Sequence, residues 1–308
     1  MGHTFTIAHL SDVHLPPPQL PSLRELNAKR LLGVVNWFWR RRPHHTVRTT
    51  QLLLADLAAQ RPDHVAVTGD LVNLGLESEV VAARHWLSHV GPPEEVSVVP
   101  GNHDIYTDPG AGACLAAWSS YMAGSASGAE SAGGARFPYV RRLGHVAIVG
   151  LNSALPTPPF RAFGEIGHGQ RALLATLLDQ LEREGAVRVV LIHHPPLPGL
   201  AKPDSALRDA DQLADVLRRH GAELVLHGHN HRAMSTMLDF PNGRSSVIGV
   251  PSASIAVAHG QQTPAAYNLY RIKADRQQPI EMITRRITAS ADGFEEIGRV
   301  ALGSQVDA

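Results

Sequence analysis

The stretch VSVVPGNHD, residues 96–104, joins a short apolar run to a cluster of polar side chains. Its valines are typical of a buried strand, and Pro100 comes where such a strand should end. An amide, an imidazole and a carboxylate then occupy three consecutive positions, at Asn102, His103 and Asp104. The stretch therefore predicts a strand whose carboxyl end presents polar groups, and the rest of the chain can be arranged around it.

The composition limits the class of protein. The 308 residues are 44% hydrophobic and 18% charged, which is enough apolar material for a large core. We expect a single domain over residues 1–308, since no linker divides the chain into two halves. Basic and acidic residues both number 28, so no global positive field indicates a nucleic-acid partner. The one cysteine, Cys114, excludes an intrachain disulfide and a zinc site built from several cysteines.

Hydrophobic periodicity predicts that strands and helices alternate along most of the chain. The predicted strands cover residues 4–10, 63–68, 94–99, 146–151, 187–192 and 223–226. The predicted helices cover residues 46–59, 77–89, 169–184 and 211–220. This alternation is typical of α/β folds, in which ligands bind at the carboxyl ends of the strands. Three later strands are expected to continue a second sheet in antiparallel fashion, at 246–250, 267–272 and 280–287.

Polar clusters follow five of these predicted strands. In chain order they are Asp12 with His14, Asp70, the tetrad at 101–104, His193, and His229 with His231. An acid and an imidazole two positions apart at a strand end can both reach one ion. Imidazole, carboxylate and amide donors favour Fe, Mn, Zn or Co, and they argue against a site built from thiolates. The clusters together predict a metal site.

Five motifs resemble those of the calcineurin-like metallophosphoesterase family. They are Asp-x-His at 12–14, Gly-Asp at 69–70, Gly-Asn-His-Asp at 101–104, the histidine at 193, and Gly-His-x-His at 228–231. The resemblance covers about residues 8–254. It implies a four-layer α/β/β/α sandwich with two mixed β-sheets and a dinuclear metal site at the carboxyl ends of the strands. It further implies two divalent or trivalent ions, with Mn and Fe favoured over Zn and Co.

The resemblance also implies a role for each motif residue. The first ion would be held by Asp12, His14 and His231, the second by Asn102, His193 and His229, and Asp70 would bridge them. A hydroxide between the ions would attack phosphorus in line, and His103 would protonate the leaving oxygen.

Other polar residues beside these motifs have roles that the sequence leaves open. Asp104 is expected to accept hydrogen bonds that orient the neighbouring imidazole or its loop. Asn73 and Asn152 follow strand ends, where either could contact a substrate, although capping of a loop explains an asparagine equally well. His194 and His227 are expected to be structural, since each would point away from the ligand beside it.

Two segments depart from the α/β pattern. Residues 23–45 form a basic, aromatic insertion that includes Trp37 to Arg42. This insertion is either an amphipathic element at a membrane interface or over the active site, or a surface helix with solvated arginines, which we favour. Residues 123–136 are rich in Gly, Ser and Ala and predict a surface loop, which is either a substrate-side lid or a loop without function.

The predicted function is metal-dependent hydrolysis of a small phosphodiester, of the cyclic nucleotide or glycerophosphodiester type. One alternative is a lipid-linked phosphoesterase or pyrophosphatase of the UDP-diacylglucosamine hydrolase type, although those enzymes tend to carry Arg where this chain has His103. Another is a non-catalytic metal-binding scaffold. The expected partner is a small phosphate ester, and the oligomeric state is left open. With no secretory or membrane-spanning stretch in the sequence, we expect a cytoplasmic protein, with peripheral membrane contact through Trp37 to Arg42 as the variant.

Overall fold

A computed structural model of the chain describes residues 4–16, 20–22, 24–41, 44–124 and 136–303. Most of the predicted loop at 123–136 lies outside the described residues, as do Arg42 and Pro43 within the basic insertion. None of the helices in the described part of the chain has both the length and the apolar character needed to cross a membrane.

The described residues form twelve strands and six α-helices. The strands are β1 (Phe5–Leu10), β2 (His64–Val67), β3 (Val96–Val98), β4 (Tyr139–Leu143), β5 (Val146–Gly150), β6 (Val187–Leu191), β7 (Leu224–His227), β8 (Met234–Phe240), β9 (Gly243–Gly249), β10 (Ala266–Ile272), β11 (Ile280–Ile287) and β12 (Phe294–Leu302). The helices are α1 (Ala28–Asn36), α2 (Val47–Gln60), α3 (Glu77–Val90), α4 (Asp108–Ala117), α5 (Gly167–Arg183) and α6 (Ala210–His220). A π-helical turn, Trp37–Arg41, follows α1, and a 3₁₀ turn, Ser119–Met122, follows α4.

Two six-stranded mixed sheets confirm the predicted α/β fold class. The first has the strand order β12-β11-β10-β1-β2-β3 and the second β4-β5-β6-β7-β9-β8. Strands β1, β2 and β3 run parallel in the first sheet, and β5, β6, β7 and β9 run parallel in the second. Because the carboxyl ends of parallel strands share one edge, each sheet has a polar edge where loops can gather ligands.

The expectation that the late strands all continue the second sheet is wrong for β10 and β11. Strand β10 pairs antiparallel with β1 in the first sheet, with Phe5 opposite Ile272, and β11 extends that sheet. Of the three predicted late strands only β9 joins the second sheet, where it runs parallel to β7 and antiparallel to β8. All but one residue of β10 is buried, so its side chains fit a central strand, and the local pattern alone does not identify its neighbour.

The side-chain pattern of β6 shows how the layers are arranged. Val187, Val189 and Leu191 belong to the larger core cluster, together with residues of the first sheet, α2 and α3. Val190 and Ile192 belong to a second cluster with α5 and α6. Since alternate residues of a strand face opposite sides, the second sheet lies between the first sheet and the α5/α6 layer. The order of layers is therefore helix, sheet, sheet, helix.

Candidate metal centre

Loops after five strands bring the candidate ligands to one place. They are Asp12 and His14 after β1, Asp70 after β2, Asn102 after β3, His193 after β6, and His229 and His231 after β7. Six of the seven side chains are buried, and His229 is half-buried. All seven lie within two clusters of close ligand atoms, which meet at Asp70.

A first cluster contains Asp12, His14, Asp70 and His231. One ligand atom of each lies within 4.8 Å of those of the other three. His231 Nε2 is 3.2 Å from His14 Nε2 and 3.1 Å from Asp12 Oδ1. Asp12 Oδ1 is buried and makes no hydrogen bond to any described residue. Buried lone pairs that face one another in this way are suited to a shared cation, since an unpaired buried polar atom is otherwise costly.

A second cluster contains Asn102, His193 and His229. Asn102 Oδ1 lies 3.2 Å from His193 Nε2 and 3.0 Å from His229 Nδ1, and the two ring nitrogens are 3.2 Å apart. The three atoms thus form a nearly equal-sided triangle. Metal–N and metal–O bonds of about 2.0–2.2 Å place neighbouring ligand atoms about 3.0–3.5 Å apart, so the triangle fits one ion.

The Asp70 carboxylate lies between the clusters. Its Oδ2 is 3.7 Å from His14 Nε2 in the first cluster and 3.5 Å from His193 Nε2 in the second. Its Oδ1 accepts a hydrogen bond of 2.8 Å from the backbone N–H of His103. This division leaves one oxygen positioned to serve both clusters while the other is fixed by the backbone.

Backbone carbonyls orient two of the imidazoles. His14 Nδ1 lies 3.1 Å from Val72 O, and His193 Nδ1 lies 2.6 Å from Thr68 O. Because a carbonyl oxygen only accepts, each Nδ1 carries the proton, and Nε2 of each ring is the atom directed into the clusters. These contacts fix the orientation of the two rings and leave Nε2 of each as the atom that can bind a metal.

Backbone conformation sets the candidate ligands apart from the rest of the chain. The structure gives positive φ to eight non-glycine residues among those described, and five of these are candidate ligands. The five are Asp12, His14, Asp70, His229 and His231, with φ between 41° and 71°. The left-handed region costs roughly 1–3 kcal/mol for such residues and persists where the surroundings over-determine it. Stored strain of this kind is concentrated at functional sites.

Two glycines allow the loops to approach closely. A Cβ on Gly101 would overlap the carboxylate of Asp70, and a Cβ on Gly228 would overlap Ser11 and Asp12. Neither glycine has a positive φ. The Gly-Asn-His-Asp and Gly-His-x-His motifs thus begin with glycine because another loop occupies the space of a side chain.

The Asp104 carboxylate joins the loops after β2 and β3. It is buried and accepts four backbone N–H groups, from Asp70, Leu71, Val72 and Gly101, at 2.8–3.2 Å. Burial and the nearby Asp70 charge raise the pKa of Asp104 to about 7, against the N–H donors of Gly101 and Val72, which favour the anion. Of the two roles expected for Asp104, the contacts correspond to fixing the loop, since the His103 ring has a different partner.

The His103 ring is held at the edge of the first cluster. Its Nδ1–H donates to Asn73 O at 2.6 Å. The ring meets His14 edge to face with 4.9 Å between centroids and stacks on Tyr106 at 5.5 Å. Asn73 itself is buried, its Nδ2 donates to Leu15 O, and its Oδ1 accepts no hydrogen bond from the described residues. Asn73 therefore contacts the site through its backbone carbonyl.

Asn152 and His194, which the sequence analysis also named, lie just outside the clusters. Asn152 Oδ1 accepts the N–H of Ala154 at 2.9 Å, which caps the turn after β5. The His194 ring has a partner on each nitrogen, Ser153 Oγ at 2.8 Å and Ala162 O at 3.0 Å, and it packs against His229. These contacts account for both side chains without ligation.

Charge–charge contacts give the metal-free clusters an uneven distribution of protons. Burial lowers the pKa of His193, but the charges of Asp70 and Asp12 outweigh it and raise this pKa to about 9. Burial raises the pKa of Asp70, but His193 and His103 hold it well below its usual range. Burial and the charge of His193 lower the pKa of His229 to about 3. The carboxylates of Asp70 and Asp12 thus favour a positive charge at His193.

Sequence reasoning did not single out two side chains beside the first cluster. The buried His45 ring faces His14 and His231, with 5.5 and 6.3 Å between centroids, and its Nδ1 lies 2.7 Å from Ser254 Oγ. The Gln262 amide lies 3.0 Å from His231 Nδ1 and can accept its proton through Oε1 after an amide flip. The only sequence signal for His45 was its place at the end of the basic insertion.

Comparison with known proteins gives evidence that is independent of this geometry. The sequence matches the calcineurin-like phosphoesterase family over residues 5–233. It is 38% identical over 104 residues to a probable cyclic nucleotide phosphodiesterase of Synechococcus sp. strain WH7803, which is 33% of this chain and 39% of that protein. A probable cyclic nucleotide phosphodiesterase of Synechococcus sp. strain ATCC 27144 is 25% identical over 277 residues, covering 88% of this chain and 89% of that protein.

A solved structure shares the fold. The dimetal phosphatase from Danio rerio superposes with a TM-score of 0.61 at 15% identity, covering 98% of this chain and 99% of that chain. At this identity the similarity concerns the arrangement of layers and strands.

Proposed function

Because the chain belongs to the calcineurin-like phosphoesterase family and is a metal-dependent phosphoesterase, we propose that it hydrolyses small phosphodiesters, with cyclic nucleotides as the first candidates. The observation that carries the proposal is the pair of clusters joined by Asp70 Oδ2, with the His103 ring beside them. The names of both relatives, probable cyclic nucleotide phosphodiesterases, support the choice of substrate. Glycerophosphodiesters are the next candidates.

In this proposal each cluster holds one ion, and Mn and Fe are the favoured metals. The first ion is assigned to Asp12, His14 and His231, the second to Asn102, His193 and His229, and Asp70 to both. A pair of ions held there would neutralise phosphoryl charge and supply a nucleophile at neutral pH. The chain's own contribution is to bring seven donors together and to shield six of them from water by burial.

His103 is proposed to hold the proton that the leaving oxygen takes. The hydrogen bond from Nδ1–H to Asn73 O stabilises the protonated ring and leaves Nε2 as the proton-donating atom. The contacts with His14 and Tyr106 prevent the ring from turning away. An ester oxygen bound at the clusters would then lie beside a fixed acid.

One activity panel tests the substrate class. Protein reconstituted with Mn or Fe is assayed on a phosphomonoester, a linear diester, a cyclic nucleotide and a triester. We expect the highest kcat/KM for a diester, and Asp70→Asn serves as the metal-site control. A monoester preferred about tenfold, equivalent to about 1.4 kcal/mol in transition-state binding, would contradict the diester assignment. Binding of two ions without turnover of any ester would favour the scaffold alternative.

Leaving-group dependence tests the role of His103. For His103→Ala we expect a loss of about 10²–10⁴ in rate for esters with poor leaving groups and a much smaller loss for activated aryl esters. His85→Ala, on the exposed side of α3, is the matched control. An equal loss with every leaving group would mean that His103 acts by positioning and not as the acid.

A single domain is proposed to carry this function. The family match covers residues 5–233. Of the strands beyond it, β8 and β9 complete the second sheet, and β10, β11 and β12 complete the first. These pairings support treating the late strands as parts of one unit with the region that the family match covers.

A further inference from the structure

Helix α1 and the turn after it carry an apolar surface that the metal centre does not use. Its members are Leu31, Leu32, Val35, Phe38 and Trp39. Their exposed fractions range from 40% for Leu32 to 84% for Trp39. Leu31, Val35 and Trp39 follow one another at intervals of four residues, so they lie along one side of the helical segment. We call these five residues the α1 apolar face.

The opposite side of α1 is tied to the loops of the metal centre. Arg30 is buried, and its guanidinium donates to the carbonyl oxygens of Leu74, Gly75 and Glu25 at 3.2, 2.7 and 2.8 Å. Trp37 is buried as well. The three hydrogen bonds of Arg30 give α1 a defined orientation, and the side that faces outward is apolar.

The burial of Trp37 changes the interpretation of the Trp37 to Arg42 segment. The sequence presents it as one aromatic and basic unit, but its aromatic side chains divide between two environments. Trp37 is 5% exposed, whereas Phe38 and Trp39 are 45% and 84% exposed. Contact with a surface outside the protein would therefore run through Leu31, Val35 and Trp39 and not through Trp37.

The charge of this segment indicates what would cover the face. Residues 24–42 contain six arginine or lysine residues and one carboxylate, in a chain whose basic and acidic residues balance. Arg40, Arg41 and Arg42 follow Trp39 directly in the sequence. An apolar helix face next to a local excess of positive charge is the combination that binds the headgroup boundary of anionic membranes. A second copy of the chain would bring like charges together.

We propose that the α1 apolar face docks on an anionic lipid surface. Leu31, Val35 and Trp39 enter the boundary between headgroups and acyl chains, and the local excess of basic residues favours anionic lipids over neutral ones. The same helix reaches the metal centre, because Lys29 Nζ donates to Tyr106 O at 2.8 Å and Tyr106 stacks on His103. Docking would thus bring this side of the metal centre close to the membrane. This inference goes beyond the proposed phosphodiesterase activity and does not depend on it.

Sedimentation with lipid vesicles tests the docking. The metal-loaded protein is mixed with vesicles of phosphatidylcholine, with and without phosphatidylglycerol. We expect binding to the anionic vesicles only, decreasing as salt is raised. The variants Leu31→Glu and Trp39→Glu should each lower the partition coefficient by about tenfold or more. Equal binding to both vesicle types, or parent-like binding of both variants, would overturn the proposal.

A matched control separates a specific face from general hydrophobicity. Leu173 on α5 is 55% exposed, close to the 52% of Leu31, and lies in the helix layer on the far side of the second sheet. Leu173→Glu should therefore bind vesicles like the parent, and an equal loss in this variant would overturn the assignment to α1.

Two further measurements keep the result interpretable. Metal content shows whether Leu31→Glu and Trp39→Glu are folded, and a variant with normal metal content and lost vesicle binding supports the proposal. Asp70→Asn should lose hydrolysis and keep vesicle binding, which makes failure of docking distinguishable from failure of the enzyme assignment. If light scattering instead shows self-association that Leu31→Glu abolishes, the face joins two copies and the lipid proposal is wrong.

Discussion

Replacing Asp104 by asparagine tests how the loops after β2 and β3 are joined. The buried carboxylate accepts two backbone N–H groups on each oxygen, from Leu71 and Val72 on Oδ1 and from Asp70 and Gly101 on Oδ2. Asparagine keeps one carbonyl oxygen, and its NH₂ group faces the other pair. Whichever way the amide turns, two of the four N–H groups lose their acceptor.

The magnitude follows from that count. A buried N–H without an acceptor costs about 1–3 kcal/mol, so the free energy of unfolding should fall by about 2–6 kcal/mol. With an unfolding entropy of about 2.1 cal/mol/K per residue, this corresponds to a decrease in Tm of about 3–9 °C for a chain of this size. Because one orphaned pair includes the N–H of Asp70, the bridging carboxylate should also shift, and affinity for both ions should fall.

Urea unfolding and elemental analysis measure the two effects of Asp104→Asn. Asp215→Asn is the control, since the Asp215 side chain is 57% exposed and lies on α6 away from the metal centre. A loss of stability below about 1 kcal/mol, together with parent-like metal content, would refute the reasoning. The four hydrogen bonds would then contribute no more than an exposed carboxylate does.

Three other changes probe the same site. Asp70→Ala should remove metal at both positions, and elemental analysis that finds one ion still bound would mean that Asp70 does not bridge. Gly101→Ala places a methyl group against the Asp70 carboxylate and should lower the free energy of unfolding by about 1–3 kcal/mol. The control Gly112→Ala, with open space around it among the described atoms, should not lower it. Equal effects of the two substitutions would contradict the close approach of Gly101 to Asp70. In the metal-free protein the folded pKa of His193 is about 9, above its unfolded value of 6.5. Protonated His193 therefore contributes up to about 3 kcal/mol to the free energy of unfolding below pH 6.5. This contribution is lost as the pH rises through 9. Urea midpoints across this range measure that loss, and a flat profile would argue against the ion pair with Asp70.

The strands could be predicted from the sequence, but the pairing of the late strands could not. In β1, β2 and β6, apolar runs bounded by polar clusters are a local signal, because buried parallel strands need such side chains on both faces. The same signal in β10 identifies a strand and says nothing of its neighbour. The pairing of Phe5 with Ile272 joins residues far apart in the chain, and no local pattern carries that information.

At the candidate metal centre the residue types could be predicted from the sequence, but the left-handed backbone conformations of the ligands could not. Carboxylates and imidazoles after strands could be assigned to one sheet edge from the topology alone. The left-handed conformations of Asp12 and His14 depend on other loops: their backbone N–H groups donate to Gly69 O and Asp70 O, each at 2.9 Å. The sequence around His45 likewise has no local signal for the site, since only the fold places this residue beside His14.

These backbone contacts indicate that hydrogen bonds between loops help to set the geometry of the ligands. Five left-handed residues cost roughly 1–3 kcal/mol each, which exceeds what most single contacts return. This cost is offset by hydrogen bonds from one loop to another and by those that Asp104 accepts. The same hydrogen bonds hold the loops that carry the ligands, so they also determine how well the two clusters fit an ion. Substitutions that touch no ligand, such as those at Asp104 and Gly101, should consequently weaken metal binding through the backbone alone.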